Sequence, residues 1–130
     1  MPKRPMKLKI RIPEYKAPRN KWRHEIHKAV SEEKRIKQTY FKLNDRLEVT
    51  LRIYFKDERS AKPHDIDNRL KDCMDALQGR VGGTKTKKTR LRKPIVPNDR
   101  MIWRAVVEKA IAPKQADSRG HLTIRRLTKR

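Results

Sequence analysis

The clearest strand pattern in the chain is RLEVTLRIYF, from Arg46 to Phe55. Apolar and polar side chains alternate along it without a break, which is typical of a strand that buries one face. The face expected to meet the core carries Leu47, Val49, Leu51, Ile53 and Phe55. We therefore expect a β-sheet at the centre of the fold.

Shorter patterns on either side predict the remaining elements. Helical spacing of apolar residues marks two segments without internal Gly or Pro, and Gly79 is placed to cap the second of them. Trp22 and Trp103 lie in apolar stripes, which favours core packing over base stacking. The predicted elements are a strand at 6–12, a helix at 20–40, a strand at 46–55, a helix at 67–78, and strands at 102–110 and 121–127. This order predicts an α/β (α+β) fold, with a mixed β-sheet and two main helices in a single domain spanning 1–130.

The charge balance points to a polyanionic partner. The chain of 130 residues has 37 Lys and Arg against 15 Asp and Glu, a net charge of +22. Such an excess is the electrostatic footprint of a nucleic-acid-binding protein. It also opposes compaction, and only 35% of residues are hydrophobic. We therefore expect a homodimer, because a second copy would bury apolar surface that one chain cannot.

Other classes of protein are disfavoured. No apolar run is long enough to span a bilayer, and the basic N-terminus lacks the apolar segment of a signal peptide, so we expect no membrane association. Cys73 is the only cysteine, which excludes an internal disulfide and a zinc site with several thiolates. A reducing, cytoplasmic location is expected, in association with the nucleoid when DNA is bound. No small-molecule cofactor is expected.

The most basic segment lies between the second helix and the third strand. Residues 80–93 contain seven basic side chains, no acid, and the pair Gly82-Gly83, which predicts a flexible basic loop. A basic C-terminal tail follows the last strand. The candidate DNA-binding residues are Arg69, Lys71, Arg80, Lys85, Lys87, Lys88, Arg90, Arg92 and Lys93.

Acidic residues stand out against this background. Asp65 and Asp67 are two apart, so an extended segment leading into a helix holds both carboxylates on one side. Paired carboxylates repel a phosphate backbone unless a divalent cation lies between them, and Mg²⁺ prefers oxygen ligands. Lys71, one helical turn after Asp67, would share that face and stabilise negative charge on a phosphate. The spacing thus indicates a metal-assisted phosphoryl reaction.

Structural roles explain the same residues individually. Asp67 is a plausible helix N-cap, and Asp75 is placed to pair with Lys71 on the helix surface. Asp99, close to Pro97, is suited to start a turn. From spacing alone these alternatives stay open.

The motif residues resemble the signature of RusA-type crossover-junction endonucleases. That family has D-x-D-N-x-x-K, then D-A-L, then an acidic or N-D pair before a strand. The chain matches it with Asp65-Ile66-Asp67-Asn68 and Lys71, with Asp75-Ala76-Leu77, and with Asn98-Asp99. Two departures are the longer basic segment at 80–93 and Asn98, where some members have a second acid.

The resemblance implies a Mg²⁺-dependent nuclease, with Mn²⁺ as a substitute. Asp65, Asp67 and Asp99 would be the catalytic metal ligands and Lys71 the catalytic lysine. A homodimer with one metal site per subunit would make paired symmetric nicks across a four-way (Holliday) junction or other branched DNA, in recombination and repair, as prophage enzymes of this type do. The alternative function is a non-catalytic basic nucleic-acid-binding protein, ribosomal-protein-like or a phage regulatory factor, which would need no acidic cluster.

Overall fold

The structure is a computed structural model that describes residues 7–83, 88–89, 92–114 and 119–127. Its centre is a mixed sheet of four strands, β1 (Lys7–Ile12), β2 (Leu47–Phe55), β5 (Ile102–Ile111) and β6 (Gly120–Arg126). Their order in the sheet is β1-β6-β2-β5. The neighbours of β6 pair with it antiparallel, whereas β2 and β5 run parallel. Two short strands, β3 (Gly82–Gly83) and β4 (Lys88–Thr89), form a separate pair. The predicted α+β class and mixed sheet are confirmed.

The helices cover one face of this sheet. They are α1 (Arg19–Ile36), α2 (Glu58–Ala61) and α3 (Ile66–Leu77). The alternating face of β2 is buried along its whole length, as the sequence predicts. Trp22 and Ile26 of α1 and Cys73 and Leu77 of α3 join the same core. Non-directional burial of these apolar groups is what holds helices and sheet together.

Both long helices end in a Schellman motif, in which a residue of positive φ turns the chain away. In α3 this residue is the predicted cap, Gly79 (φ 77°), and Arg80 N–H donates to Asp75 O at 2.9 Å. In α1 the residue is Gln38 (φ 54°). Because a glutamine gives no stop signal, the sequence predicts α1 to continue to residue 40, four residues too far.

Two connections contain short elements of regular structure. The polar link after β2 contains α2, capped by Asp57, whose carboxylate accepts from Ser60 N–H at 2.8 Å. Within the segment predicted as a flexible loop, β3 pairs antiparallel with β4. Further along the chain, Ile95 is fixed to the end of α3, because its N–H donates to Leu77 O at 2.8 Å. Lys85, Lys87, Arg90 and the C-terminal 128–130 lie outside the described residues.

The strand β5 lies at the edge of the sheet, and the helices leave much of it uncovered. The prediction that Trp103 packs in the core is therefore wrong: its side chain is 63% exposed, and Val106 and Ile111 are exposed as well. Trp22, by contrast, is fully buried on α1 as predicted. An apolar pattern shows that a strand has an inward side, but not whether a helix covers that side.

The two helix ends provide an opposed pair of substitutions. Gly79→Ala should destabilise the protein by about 1–3 kcal/mol, because an alanine resists positive φ. Its Cβ would also lie 2.1 Å from Arg92 O. Gln38→Gly, at the equivalent position of α1, should stabilise it by about 1 kcal/mol. Urea unfolding of both variants measures the difference. Equal stability of Gly79→Ala and wild type would contradict this account of the α3 terminus.

Candidate functional site

The two neighbouring carboxylates lie where the chain enters α3. Asp65 is the N-cap, and its Oδ1 accepts from Asp67 N–H at 3.0 Å. Both residues are exposed. The capping role belongs to Asp65, so the alternative that Asp67 is the cap is wrong. The Asp67 carboxylate has no hydrogen-bond or ion-pair partner within the described part of the chain, which leaves it available to a cation.

The loop before this pair is held by a lysine that sequence reasoning missed. Lys109 of β5 donates from Nζ to Ala61 O at 3.0 Å and to His64 O at 2.8 Å. Lys109 pairs with Ile53 in the β2–β5 register, so it stands on the core side of the sheet. A lysine at an inward position of a strand was the available signal, because an ammonium that is partly removed from water needs acceptors nearby.

His64 completes the underside of the loop. Its ring packs between Tyr15, with ring centroids 4.8 Å apart, and Phe55, at 4.6 Å. Burial lowers the pKa of His64, and the charges of Arg69 and Lys109 lower it further. The imidazole beside Asp65 is therefore neutral at physiological pH.

Lys71 lies where the helical spacing places it. It is exposed on α3, one turn beyond Asp67, with no ion pair to any residue that the structure describes. Asp75, a turn further on, is half-buried and contributes to raising the pKa of Arg19. The acidic pair and Lys71 thus form one exposed surface at the start of α3.

Asp99 lies far from this surface, at the other end of the sheet. It opens a 3₁₀ turn, Asp99–Met101, immediately before β5, and Asn98 caps that turn by accepting from Arg100 N–H at 2.9 Å. The opposite end of β5 carries Lys109, which contacts the loop at His64. From Ile102 to Lys109 the strand rises about 23 Å at 3.3 Å per residue. Asp99 is therefore on the order of 20 Å from the acidic pair.

The predicted convergence of Asp65, Asp67 and Asp99 does not occur within one chain. No group of three His, Cys, Asp or Glu side chains able to hold a metal ion exists among the residues described. The reason is topological: β2 and β5 are parallel, so α3 must run back from the ends of these strands to their beginnings. Its first turn and the residues preceding β5 consequently lie at opposite ends.

Arg69 is also misassigned by the sequence. Proposed as a DNA contact, it is only 6% exposed. Its guanidinium stacks over the Tyr15 ring, 4.0 Å from the centroid, and forms an ion pair with Asp72 at 3.4 Å. The helical pattern predicts that charged residues face outward, whereas the side chains of Arg69 and Asp72 both turn towards the core.

The remaining basic candidates lie mainly at the far end of α3. Arg80, Arg92 and Lys93 are exposed there. Lys93 O accepts from His27 Nε2 at 2.8 Å, which ties this segment to α1. Of Lys88 only the backbone, in β4, is described. These exposed positions agree with a basic surface at this end of α3.

Comparisons with known proteins add no relative. No protein-family model matches the chain, and neither does any curated protein sequence. The resemblance to the RusA family therefore rests on the motif residues alone. Among the helices described, none is both long and apolar enough to cross a membrane.

The contribution of Lys109 can be measured directly. Lys109→Met keeps the length of the side chain but removes two hydrogen bonds from a charged donor, so it should lower the free energy of unfolding by about 1–3 kcal/mol. Lys56→Met, at an exposed position next to β2, is the matched control and should stay within about 0.5 kcal/mol of wild type. Equal unfolding curves for the two variants would show that Lys109 does not hold the loop.

Stability should fall in mildly acidic solution. Burial is the main cause that lowers the pKa values of both His27 and His64 below the usual 6.5. The unfolded chain therefore takes up protons first, so stability is complete above about pH 6.5 and declines as the pH drops through that value. Thermal unfolding between about pH 7.5 and 5.5 measures the decline. In His27→Gln only the loss of stability due to His64 should remain. An unchanged dependence of stability on pH would contradict the assignment of part of this loss to His27.

Proposed function

We propose that the chain is a Mg²⁺-dependent, RusA-type endonuclease that acts as a homodimer on four-way DNA junctions. The observation that carries the proposal is the exposed Asp65–Asp67 pair in a chain of net charge +22. A protein that only binds DNA gains nothing from two unshielded carboxylates on its surface. A divalent cation converts the same pair into a phosphate-binding group.

One chain offers too few ligands to fix such an ion. Asp65 and Asp67 are suitable oxygen donors, but Asp99 is about 20 Å away. A second copy of the chain is the natural source of the missing carboxylate. The proposal therefore requires a dimer in which the partner's Asp99 approaches the acidic pair.

The edge strand β5 offers a surface on which two copies of the chain could pair. It has ten residues, exposed apolar side chains on both faces, and no neighbour beyond β2 among the strands described. Such an edge readily pairs with another chain. In an antiparallel pairing about a twofold axis near Val106 and Val107, the start of one β5 lies beside the end of the other. That arrangement brings the partner's Asp99 towards Lys109 and the loop that carries Asp65.

The chain's own groups then have separate tasks. Asp65, Asp67 and the partner's Asp99 would hold the ion, which when bound polarises the phosphoryl oxygen and lowers the pKa of water. Lys71, on the same face of α3, stabilises negative charge that develops on the phosphate. The basic residues of the segment 80–93, Arg80, Arg92 and Lys93 among them, bind the backbone of the junction arms.

Mixing two inactive variants tests both the metal ligands and the dimer. Asp67→Asn and Asp99→Asn alone should each lose at least about 100-fold in cleavage of a labelled synthetic four-way junction with Mg²⁺, because each removes a ligand. After unfolding and refolding together, about half of the dimers combine one chain of each kind and contain one intact site. Cleavage should return, as single nicks rather than paired ones.

The outcomes separate the possibilities. A mixture as inactive as its components would contradict the shared site. Wild-type cleavage by Asp67→Asn would overturn the metal assignment, and junction binding by wild type without any cleavage would favour the non-catalytic binder. Glu58→Gln, an exposed charge removal on α2, is the control and should cut at the wild-type rate.

A further inference from the structure

We propose that a surface cavity beside the start of β5 binds a base of an unpaired DNA strand, with the Trp103 indole as the surface on which the base stacks. The cavity measures about 450 Å³, within the usual range for small-ligand sites. One wall is the turn before β2, and the other is the segment that leads into β5. The residues that carry the argument are Leu43, Asn44, Arg46, Asn98, Arg100 and Trp103.

A β-bulge presents the Trp103 ring at this place. In the pairing of β2 with β5, Leu47 lies opposite Ile102 and Glu48 opposite Arg104, so Trp103 is an extra residue between two paired ones. An extra residue interrupts the alternation of a strand and redirects its side chain, and such bulges are frequent beside functional sites. The indole lines the cavity and is 63% exposed, instead of packing in the core.

The ring of Trp103 is held in place by an arginine. The Arg46 guanidinium lies over it, 4.1 Å from the ring centroid, in a cation–π contact. Arg46 covers only part of the ring, since Trp103 stays largely exposed. A ring whose orientation is already fixed loses little freedom when a ligand binds to it. Exposed aromatic rings stack on the bases of single strands, whatever the base sequence.

The cavity wall also offers groups that suit the edge of a base. Asn44 is exposed, and its amide has no hydrogen-bond partner among the residues described. Asn98 uses its Oδ1 to accept from Arg100 N–H, which leaves its amide N–H groups available to a ligand. Asparagine amides donate to and accept from base edges. The turn that carries Asn44 is already formed, because Asp45 Oδ2 accepts from Lys42 N–H at 2.8 Å.

Charge favours a nucleic acid over a protein partner. Arg46 and Arg100 line the cavity, and neither forms an ion pair within the described part of the chain. One acid, the half-buried Asp45, lines it as well, and exposed Leu43 adds apolar surface. An indole beside arginines also suits a protein interface, but a net charge of +22 attracts a polyanion. The phosphates on either side of a stacked base would meet the two guanidinium groups.

The cavity lies next to a residue of the proposed metal site. Asn98 and Arg100 are the chain neighbours of Asp99, in the turn that precedes β5. A strand whose base stacks on Trp103 therefore has its backbone close to Asp99. That this base decides which phosphodiester meets the metal rests on the proposed function; that the cavity takes a base does not. Trp103 would be a positioning residue for cleavage rather than a catalytic one.

The test measures binding in EDTA, where no cleavage occurs. The probes are a short oligothymidylate and an oligomer of the same length whose sugars lack bases, so both carry the same number of phosphates. The protein has two tryptophans, and their ¹⁵N-labelled indole N–H signals are followed by NMR. The Trp103 signal should shift saturably with oligothymidylate and much less with the abasic oligomer. The signal of Trp22, which is fully buried and donates to Pro13 O at 2.9 Å, should stay in place.

Affinities measured for both probes give the size of the effect. Wild type should bind oligothymidylate about 10–100-fold more tightly than the abasic oligomer, as expected when one base stacks on an aromatic ring. Trp103→Leu should abolish this ratio and leave abasic binding unchanged, whereas Trp103→Phe, which keeps a ring, should retain part of it. Tyr54→Leu is the matched control. It removes the ring that lies 5.2 Å from the Arg52 guanidinium on β2, outside the cavity, and should keep the wild-type ratio.

Other results count against the proposal. An unchanged ratio in Trp103→Leu, or an equal loss of the ratio in Tyr54→Leu, would overturn it. Dissociation of a dimer by Trp103→Leu, seen in analytical ultracentrifugation, would assign the indole to a protein interface instead. If Trp103→Leu does not fold, equal binding of the two probes by wild type still refutes the site. Wild type that prefers oligothymidylate yet never cuts junctions would refute the nuclease alone, and a nuclease without this preference would refute the cavity alone.

Discussion

The parallel pairing of β2 with β5 is the constraint on which the arrangement of functional residues depends. Parallel neighbours need a crossover, and here the crossover is α3, which runs from the end of β2 back towards the beginning of β5. The acidic pair consequently lies at one end of the sheet, and Asp99 at the other. A metal site that uses all three acids is possible only if another copy of the chain brings the two ends together.

The edge position of β5 gives such a copy a place to bind. A strand with both faces partly uncovered leaves apolar area in water and backbone groups unpaired, and each favours association. The net charge of +22 makes two copies of the chain repel each other. Backbone pairing and apolar burial must therefore outweigh this repulsion. A dimer of this kind would also place two acidic pairs in one assembly, as symmetric cutting requires.

Charge is organised differently inside and outside. On the surface, the Asp65–Asp67 pair interrupts a cationic field and marks where a divalent ion would be useful. In the interior, Asp72 forms ion pairs with Arg19, Arg23 and Arg69, and it ties α1 to α3. Asp72 thus has its counter-charges within the protein. The metal ion of the proposed function would supply that of the surface pair.

Much of the fold could be predicted from the sequence, because alternation and helical spacing record which side of each element faces the core. The four strands of the main sheet, both long helices and the Gly79 cap follow from local pattern, as does the placement of Asp65 and Asp67 at a helix start. The end of α1 could not be predicted from local pattern, because Gln38 takes up positive φ without a sequence signal. Only the tertiary structure decided the surroundings of four residues: the exposed Trp103, the buried Arg69, the loop-binding Lys109 and the distant Asp99. Whether a strand is central or at an edge, which charges turn inward, and which ends of elements meet all depend on strand order and direction, and these arise from contacts between residues far apart in the chain.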